Sequence, residues 1–507
     1  MESLVLTGEP LSLEDAYSVI YGNRQVAIAP QAAERVRQAR QVLFDMAAEG
    51  KPVYGLNRGV GWNKDKEFDE DFFAQYNRNL LNSHCLGVPP YHPDDQVRAI
   101  LLLRLQKVLT GHTGLSLELL DHYRDFLNYG IYPRIPMRSS IGEGDITTLS
   151  HVGLAFIGEE DVTYQGKIMN SKEAMEMVGM KPAKLGPKDG LSIVSNNAQG
   201  EGMTLVLLRQ IAQLVKMSNL IFCLSLEGLD GVVESLREDV NAVRGIKGQM
   251  KAAAMCRDFL EGSYLYEPSP ERALQDPLSF RCAHAINGAL YDAMDYVKEQ
   301  LLASMNHTDD NPCILLDKHS SFVSANFEIT SLAIGVEMLA SGLAHLSKSS
   351  CYRMIKMADP NFTHLNRFLT PEDVKTIAFG TIQKTFTMLD TQNRGLANPS
   401  SMDFYALAGT IEDHASNLPL ICYKLFQMLD NIYYIIGIEA MHACQAIDLR
   451  KQKRPEIHLG KGTGKAYEII RRTLPFYNKD RNQSRDIQKV YHIVKSGELL
   501  QVGGDSL

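Results

Sequence analysis

The sequence predicts a helix-dominated globular protein, with a long-helix bundle in its second half and functional loops in its first. Leu207, Ile211, Leu214 and Val215 fall on one helical face, as do Leu332, Val336, Leu339, Leu343 and Leu346, and this spacing marks core helices. Leu425, Met428, Leu429, Ile432 and Ile436 continue the pattern with so little polar interruption that the stretch should be buried nearly all round. Residues 50–200 read differently. Gly and Pro punctuate them at Tyr54-Gly55, Gly59-Val60-Gly61, Pro89-Pro90, Gly142-Glu143-Gly144 and Gly186-Pro187, and loops of this kind carry function. We therefore expect a loop-rich active-site domain over 1–200 and a central and C-terminal helix bundle over 201–507.

Composition narrows the function classes. A chain of 507 residues that is 45% hydrophobic and 22% charged is neither disordered nor fibrous. Its net charge of −8 gives no basic footprint for nucleic acid. The start, Met1-Glu2-Ser3-Leu4, has no basic segment leading into an apolar one, and no uncharged apolar run is long enough to cross a membrane. A cytoplasmic protein with no nucleic-acid or membrane partner is expected. The eight cysteines are scattered without a C-x-x-C pair, which predicts reduced thiols and no metal site. Arg450 to Arg454 reads as a solvated helix end.

Two motifs fail on inspection. In Gly460-Lys461-Gly462-Thr463-Gly464-Lys465, a phosphate loop would need its first glycine at Leu459 and its final hydroxyl at Ala466. Glu412-Asp413-His414 has no second His or Cys at ligand spacing.

A set of short motifs runs the length of the chain. It includes Tyr54-Gly55-Leu56-Asn57-Arg58-Gly59-Val60-Gly61, Asn79-Leu80-Leu81-Asn82-Ser83-His84, Gly144-Asp145 with Leu149-Ser150-His151, and Lys188-Asp189-Gly190-Leu191. Gln275-Asp276-Pro277, Arg281, Asp310-Asn311-Pro312, Asn326-Phe327, Asn398-Pro399-Ser400-Ser401, Glu412-Asp413-His414 and Gly462-Thr463 with Asp480-Arg481 follow in order. Together they resemble the aromatic amino acid ammonia-lyase family, which includes histidine ammonia-lyase. The resemblance implies an all-α, ammonia-lyase/fumarase-like long-helix fold. It also implies a homotetramer whose active sites take residues from three chains, and elimination of an amine from an α-amino acid.

One part of the family pattern is missing. Its members cyclise an Ala-Ser-Gly tripeptide into methylidene imidazolone, the electrophile that activates the amine. Here the corresponding residues are Ser140-Ile141-Gly142-Glu143-Gly144-Asp145, and no serine precedes a glycine. The prosthetic group is therefore expected to be absent, leaving no cofactor. Leu278 replaces the tyrosine usual after Gln-Asp-Pro, and Ser195 stands where an asparagine is usual, beside Asn196 and Asn197.

The other side of the site matches. By the resemblance Tyr54 is the β-proton base, Arg281 anchors the carboxylate, and His84 and Glu412 contact an imidazole ring. Arg58, where threonine is usual, is expected to lower the Tyr54 phenol toward working pH. A primary amine without an electrophile loses its own N–H before Cβ loses a proton. Trimethylammonium has no N–H and leaves as neutral trimethylamine. An imidazole ring and a quaternary leaving group together specify a histidine betaine. Lys384, in an apolar segment where the family has an uncharged residue, would stabilise an anionic thioimidazole. Ergothioneine, giving thiourocanate, is the expected substrate; hercynine, histidine, or a catalytically inactive binding protein on the same scaffold are the alternatives. Phe327, Asn196 and Asn197 are candidate substrate contacts, and Glu143 either attracts the cation or faces solvent.

Overall fold

The computed structural model describes residues 2–61, 64–66, 73–372 and 374–502. Among these residues four helices exceed twenty residues: Ala198–Leu229, Ala283–Met305, Thr330–Met357 and Leu418–Lys453. The apolar faces read from the sequence are their core faces. Leu207, Ile211, Leu214 and Val215 are fully buried in the first of these, and Leu332, Val336, Leu339, Leu343 and Leu346 are buried in the third. The stretch Asp189–Leu229 is long and apolar enough to cross a membrane, but 72% of its most apolar window is buried within the protein, which makes it a core element.

Two expectations about the last long helix change. Around Leu425 to Tyr434 burial is one-sided, because Gln427 is exposed and Asp430, Asn431 and Tyr434 are half-buried; all-round burial begins at Ile435 and runs to Ile447. The basic stretch is only partly solvated. Arg450 is buried and donates to the carbonyls of Gly228, Leu229 and Thr363, satisfying acceptors that the end of a helix leaves orphaned. Arg454 pairs with Asp230 at 2.8 Å.

The chain forms two compact units. The first gathers the chain up to Leu207 with Val297–Val336 and Pro399–Tyr423; the second holds Leu208–Tyr296, Glu337–Asn398 and Lys424 onward. Residues 297–336 and 399–423 thus join the loop-rich N-terminal part, a return that the expected division at residue 200 leaves out. Periodicity marks helices but not which part of the chain each long helix leads back to.

Small sheets occur in the first unit. Leu4–Leu6 pairs in parallel with Val26–Ile28, Val88–Tyr91 pairs antiparallel with Pro136–Arg138, and Ile131–Pro133, Asp161–Tyr164 and Lys167–Asn170 form a three-stranded sheet. Cys313–Leu315 pairs with Ser320–Phe322. All eight thiols are free, six of them buried.

A buried charge network braces this unit. Lys107 Nζ lies 2.6 Å from Glu201 Oε1 and 2.6 Å from Asp309 Oδ2, with all three side chains inaccessible to solvent or nearly so. Arg104 pairs with Asp310 at 3.2 Å, and Thr113 Oγ1 donates to Asp310 at 2.6 Å. Removing one member strands the others in a medium that solvates charge poorly. Lys107→Met should therefore cost ~3–5 kcal/mol of stability, read as a lowered urea midpoint. A loss below about 1 kcal/mol would mean that the network is dispensable.

Candidate active site

A cavity of about 800 Å³ opens in the first unit, lined by several separate stretches of chain. Helix Phe73–His84 presents Tyr76, Asn79, Leu80, Ser83 and His84 to it, a spacing of three and four residues that keeps them on one face. The 54–61 loop contributes Tyr54, the 64–66 stretch Lys64, the 139–147 turn Ser140 and Glu143, helix Asp189–Val194 and its end Leu191 and Ser195, and the 407–412 segment Ile411 and Glu412. Asn311 and Phe327 complete the wall.

Backbone geometry fixes the base. Gly55 has φ +74°, and a Cβ there would lie 2.3 Å from Leu191 Cδ2, so only glycine lets the Tyr54 loop approach helix Asp189–Val194. That helix is held in turn by Gly190 N–H donating to Asn77 Oδ1 at 2.6 Å, and by Asp189, which accepts from Gly186 and Ser116 and pairs with Arg40 at 2.9 Å. The Tyr54 hydroxyl accepts from Gly61 N–H at 2.7 Å. Burial pushes its pKa above the ordinary phenol value, the Gly61 contact lowers it, and the Glu412 carboxylate raises it again. Arg58 forms a backbone bridge with Tyr54, but it is not among the lining residues. The expected lowering of the phenol by Arg58 is therefore replaced by a net rise.

His84 closes its helix. Its Nδ1 lies 2.8 Å from the Leu80 carbonyl and 3.0 Å from Ser83 Oγ. A carbonyl only accepts, so Nδ1 carries the proton in that contact and Nε2 is the nitrogen left for a ligand. Glu412 is placed by a reciprocal backbone bridge with Leu407.

The 139–147 turn is gripped from several sides. Ser416 Oγ donates to the Gly142 carbonyl at 2.8 Å, Asn417 N–H to the Ile141 carbonyl at 2.7 Å, and Gly144 N–H to Asn197 Oδ1 at 3.1 Å. Ser140 Oγ donates to Asp145 at 2.5 Å and accepts from Gly142 N–H at 3.0 Å. Gly142 and Gly144 have φ +72° and +69°, and a Cβ on Gly142 would meet Ser416 Oγ at 2.4 Å. This turn does not fit a methylidene imidazolone: Ser140 precedes Ile141, its hydroxyl is engaged on both sides, and Glu143 occupies the cavity wall between two glycines.

Glu143 thus faces the cavity and not bulk solvent. Burial, Glu412 and Asp413 push its carboxyl up to about 7, partly offset by His414. His414 itself pairs with Glu328 at 3.3 Å.

The remaining expected residues lie elsewhere. Asn196 and Asn197 are buried and used structurally. Asn196 accepts from Ala198 N–H and donates to the Ile193 carbonyl; Asn197 N–H donates to Asp309 at 2.7 Å and its Nδ2 to the Phe327 carbonyl at 2.7 Å. They position Ser195 and Phe327 without lining the cavity. Arg281, on helix Leu278–Arg281, is half-buried and donates to Gln275; Lys384, at the start of helix Gln383–Leu396, is exposed. Both belong to the second unit and neither lines this cavity. Tyr76, Lys64, Ser195 and Asn311 line it without having been expected. Tyr76 was within reach of the sequence, lying two turns before His84 on the same helix face.

The fold also gathers Cys85, His151 and Glu160, which the scattered cysteines did not suggest. His151 Nδ1 is 2.8 Å from Glu160, and Cys85 Sγ is 3.8 Å from the same oxygen. Burial and Glu160 push the thiol up to about 12, so it is protonated and acts as a hydrogen-bond donor.

The profile of the aromatic amino acid lyase family matches residues 11–472. Histidine ammonia-lyase of Treponema denticola is 32% identical over 504 residues, 99% of this chain and 98% of that protein. The histidine ammonia-lyase of Chloroflexus aurantiacus is 32% identical over 509 residues, 98% and 97% of the two chains. Among solved structures, the ergothioneine-degrading ergothionase of Treponema denticola, in complex with desmethyl-ergothioneine sulfonic acid, superposes with a TM-score of 0.96 at 80% identity, covering 98% of this chain and all of that one. Histidine ammonia-lyase of Trypanosoma cruzi superposes with a TM-score of 0.88 at 25% identity, covering 99% and 94%.

The raised carboxyl has a measurable sign. Glutamate titrates near 4.5 when unfolded and Glu143 near 7 in the fold, so the folded chain holds the extra proton between those values. Stability contributed by that protonated carboxyl is complete below about 4.5 and is lost as pH rises to about 7. Glu143→Gln, uncharged throughout, should gain melting temperature relative to the wild type across this window. A difference independent of pH would place Glu143 in ordinary water.

Proposed function

Because the chain belongs to the aromatic amino acid lyase family, we propose that it eliminates trimethylamine from ergothioneine to give thiourocanate, without a methylidene imidazolone. The observation that carries this reading is the cavity itself. It keeps a tyrosine base and two ring partners around a turn that has no Ser-Gly to cyclise, in a chain 80% identical to an ergothioneine-degrading enzyme.

The chemistry follows from the groups present. His84 and Glu412 hold the ring. Tyr54, as phenolate, takes the β-proton; the Cβ–H electrons delocalise toward the thioimidazole, then form the Cα–Cβ double bond as the Cα–N bond breaks. The nitrogen leaves as neutral trimethylamine and needs no proton. Burial and Glu412 hold Tyr54 toward its protonated form. A permanent cation entering the cavity reverses that bias, since a nearby positive charge favours the phenolate. The substrate thus supplies the charge that Arg58 was expected to bring.

Arg281 and Lys384 reach the site from neighbouring protomers of a homotetramer, Arg281 on the substrate carboxylate and Lys384 beside the ring sulfur. Lys384 is exposed, whereas Arg281 is half-buried on Gln275 and must release that contact to take a carboxylate.

Incubation of the purified protein with ergothioneine, hercynine and histidine separately tests the reading. Trimethylamine and the ultraviolet band of a conjugated acrylate are expected from ergothioneine; ammonia from histidine, with a chain lighter by two waters, would overturn it. Tyr54→Phe should lower kcat by at least ~100-fold with KM little changed, and a variant keeping a tenth of its kcat would remove Tyr54 from the role. Lys384→Met should cost more kcat on ergothioneine than on hercynine. Equal losses on the two would exclude a sulfur contact.

A further inference from the structure

We propose that Glu143 is the counter-ion of the substrate's quaternary ammonium, and that its charge separates cation-bearing substrate from anionic product. The inference rests on the trimethylamine-releasing reading of the site and names the residue that makes it selective.

Placement comes first. Glu143 is the one side chain between two left-handed glycines, on a turn anchored by Ser416, Asn417 and Asn197. Those anchors hold its backbone in place against the cavity that Tyr54, Tyr76 and Phe327 also line. Such a carboxylate is organised in advance of the ligand it faces.

Charge balance comes second. Two carboxylates, Glu143 and Glu412, face this cavity, and among the described residues neither has an ion-pair partner. Lys64 is a cationic lining residue, and it pairs with Asp65 at 3.2 Å. The groups around Glu143 are Glu412, Asp413 and His414 on the 408–414 segment, Tyr54 on the 54–61 loop, Lys64, and His84 on its helix. Three carboxylates, Glu143 included, stand here against one lysine and two histidines, and burial together with Glu412 and Asp413 raises Glu143. A permanent cation beside Glu143 relieves that pressure.

Chemistry selects which cation. A primary ammonium directs N–H bonds at a carboxylate, whereas a quaternary one offers only charge and methyl surface, matched by an anion beside aromatic faces. With Glu412 engaged on the ring, Glu143 is the carboxylate left for the nitrogen. Once the Cα–N bond breaks the cation is gone, and the remaining acrylate is anionic. The same carboxylate then repels it. Glu143 therefore acts mainly on ground-state binding of substrate and on release of product.

The test compares Glu143→Gln and Glu143→Asp with the wild-type enzyme, measuring KM for ergothioneine and Ki for added thiourocanate. In the glutamine variant KM should rise about tenfold, which corresponds to about 1.4 kcal/mol, while Ki falls severalfold. The aspartate variant should keep both within threefold of wild type. Opposite movement of the two constants is the signature, because a damaged cavity weakens both ligands. The proposal is overturned if both weaken together, if neither changes, or if aspartate behaves like glutamine. Should the glutamine variant melt early, the wild-type enzyme still answers: choline must compete with ergothioneine at least tenfold better than its uncharged isostere 3,3-dimethylbutan-1-ol, and equal inhibition overturns the assignment. Absence of trimethylamine from wild-type incubations would instead remove the functional reading beneath it.

Discussion

Asp309 is the hinge of the first unit's electrostatics. Its Oδ2 accepts from both Lys107 Nζ and the Asn197 N–H, 2.6 and 2.7 Å away. Lys107 and the neighbouring Arg104 overcome the burial penalty and hold Asp309 below the usual carboxylate range. Asn197 then passes this order outward, accepting from Gly144 and donating to the Phe327 carbonyl. Two walls of the cavity thus hang from one buried ion cluster. Such clusters are weak sources of net stability but strict about geometry, since an unpaired member is costly. That strictness suits a site whose carboxylates must stay where charge repulsion would move them.

The cavity works by deficit. Burial and the Glu412 carboxylate raise Tyr54 and Glu143 together, so the site favours their neutral forms and is short of positive charge. On the proposed reading a betaine fills that shortage and in doing so moves the tyrosine toward phenolate. A substrate that brings its own activation has no need of a prosthetic electrophile, and loss of the Ser-Gly step is then consistent with retention of Tyr54, His84 and Glu412.

Much of this was legible in the sequence, for different reasons. Helices such as Thr330–Met357 announce themselves through apolar spacing, because burial is periodic. Tyr54, His84, Glu412 and Phe327 carried recognisable motifs and do line one cavity. Asn196 and Asn197 misled because a buried amide that pins backbone and one that holds a ligand look alike in sequence. Arg58 misled because proximity in the chain placed a charge near Tyr54 without aiming it into the cavity. The true setting of the phenol depends on Glu412, more than 350 residues away, and no local pattern encodes that. Arg450 was misread for a related reason: a run of basic residues hides the one that turns inward to cap carbonyls.

The crowding at Gly142 bears on which side chains this turn can carry. Ser416, Asn417 and Leu418 close over this glycine so tightly that even a methyl group would collide, and the turn has one opening, filled by Glu143. Position 142 is thereby limited to glycine, while the next position, 143, stays open to the cavity. An alanine at 142, as in an Ala-Ser-Gly sequence, would require the 416–418 backbone to move. The turn is thus rigid at one residue and permissive at its neighbour, so the group shown to the ligand can change without loosening the grip that presents it.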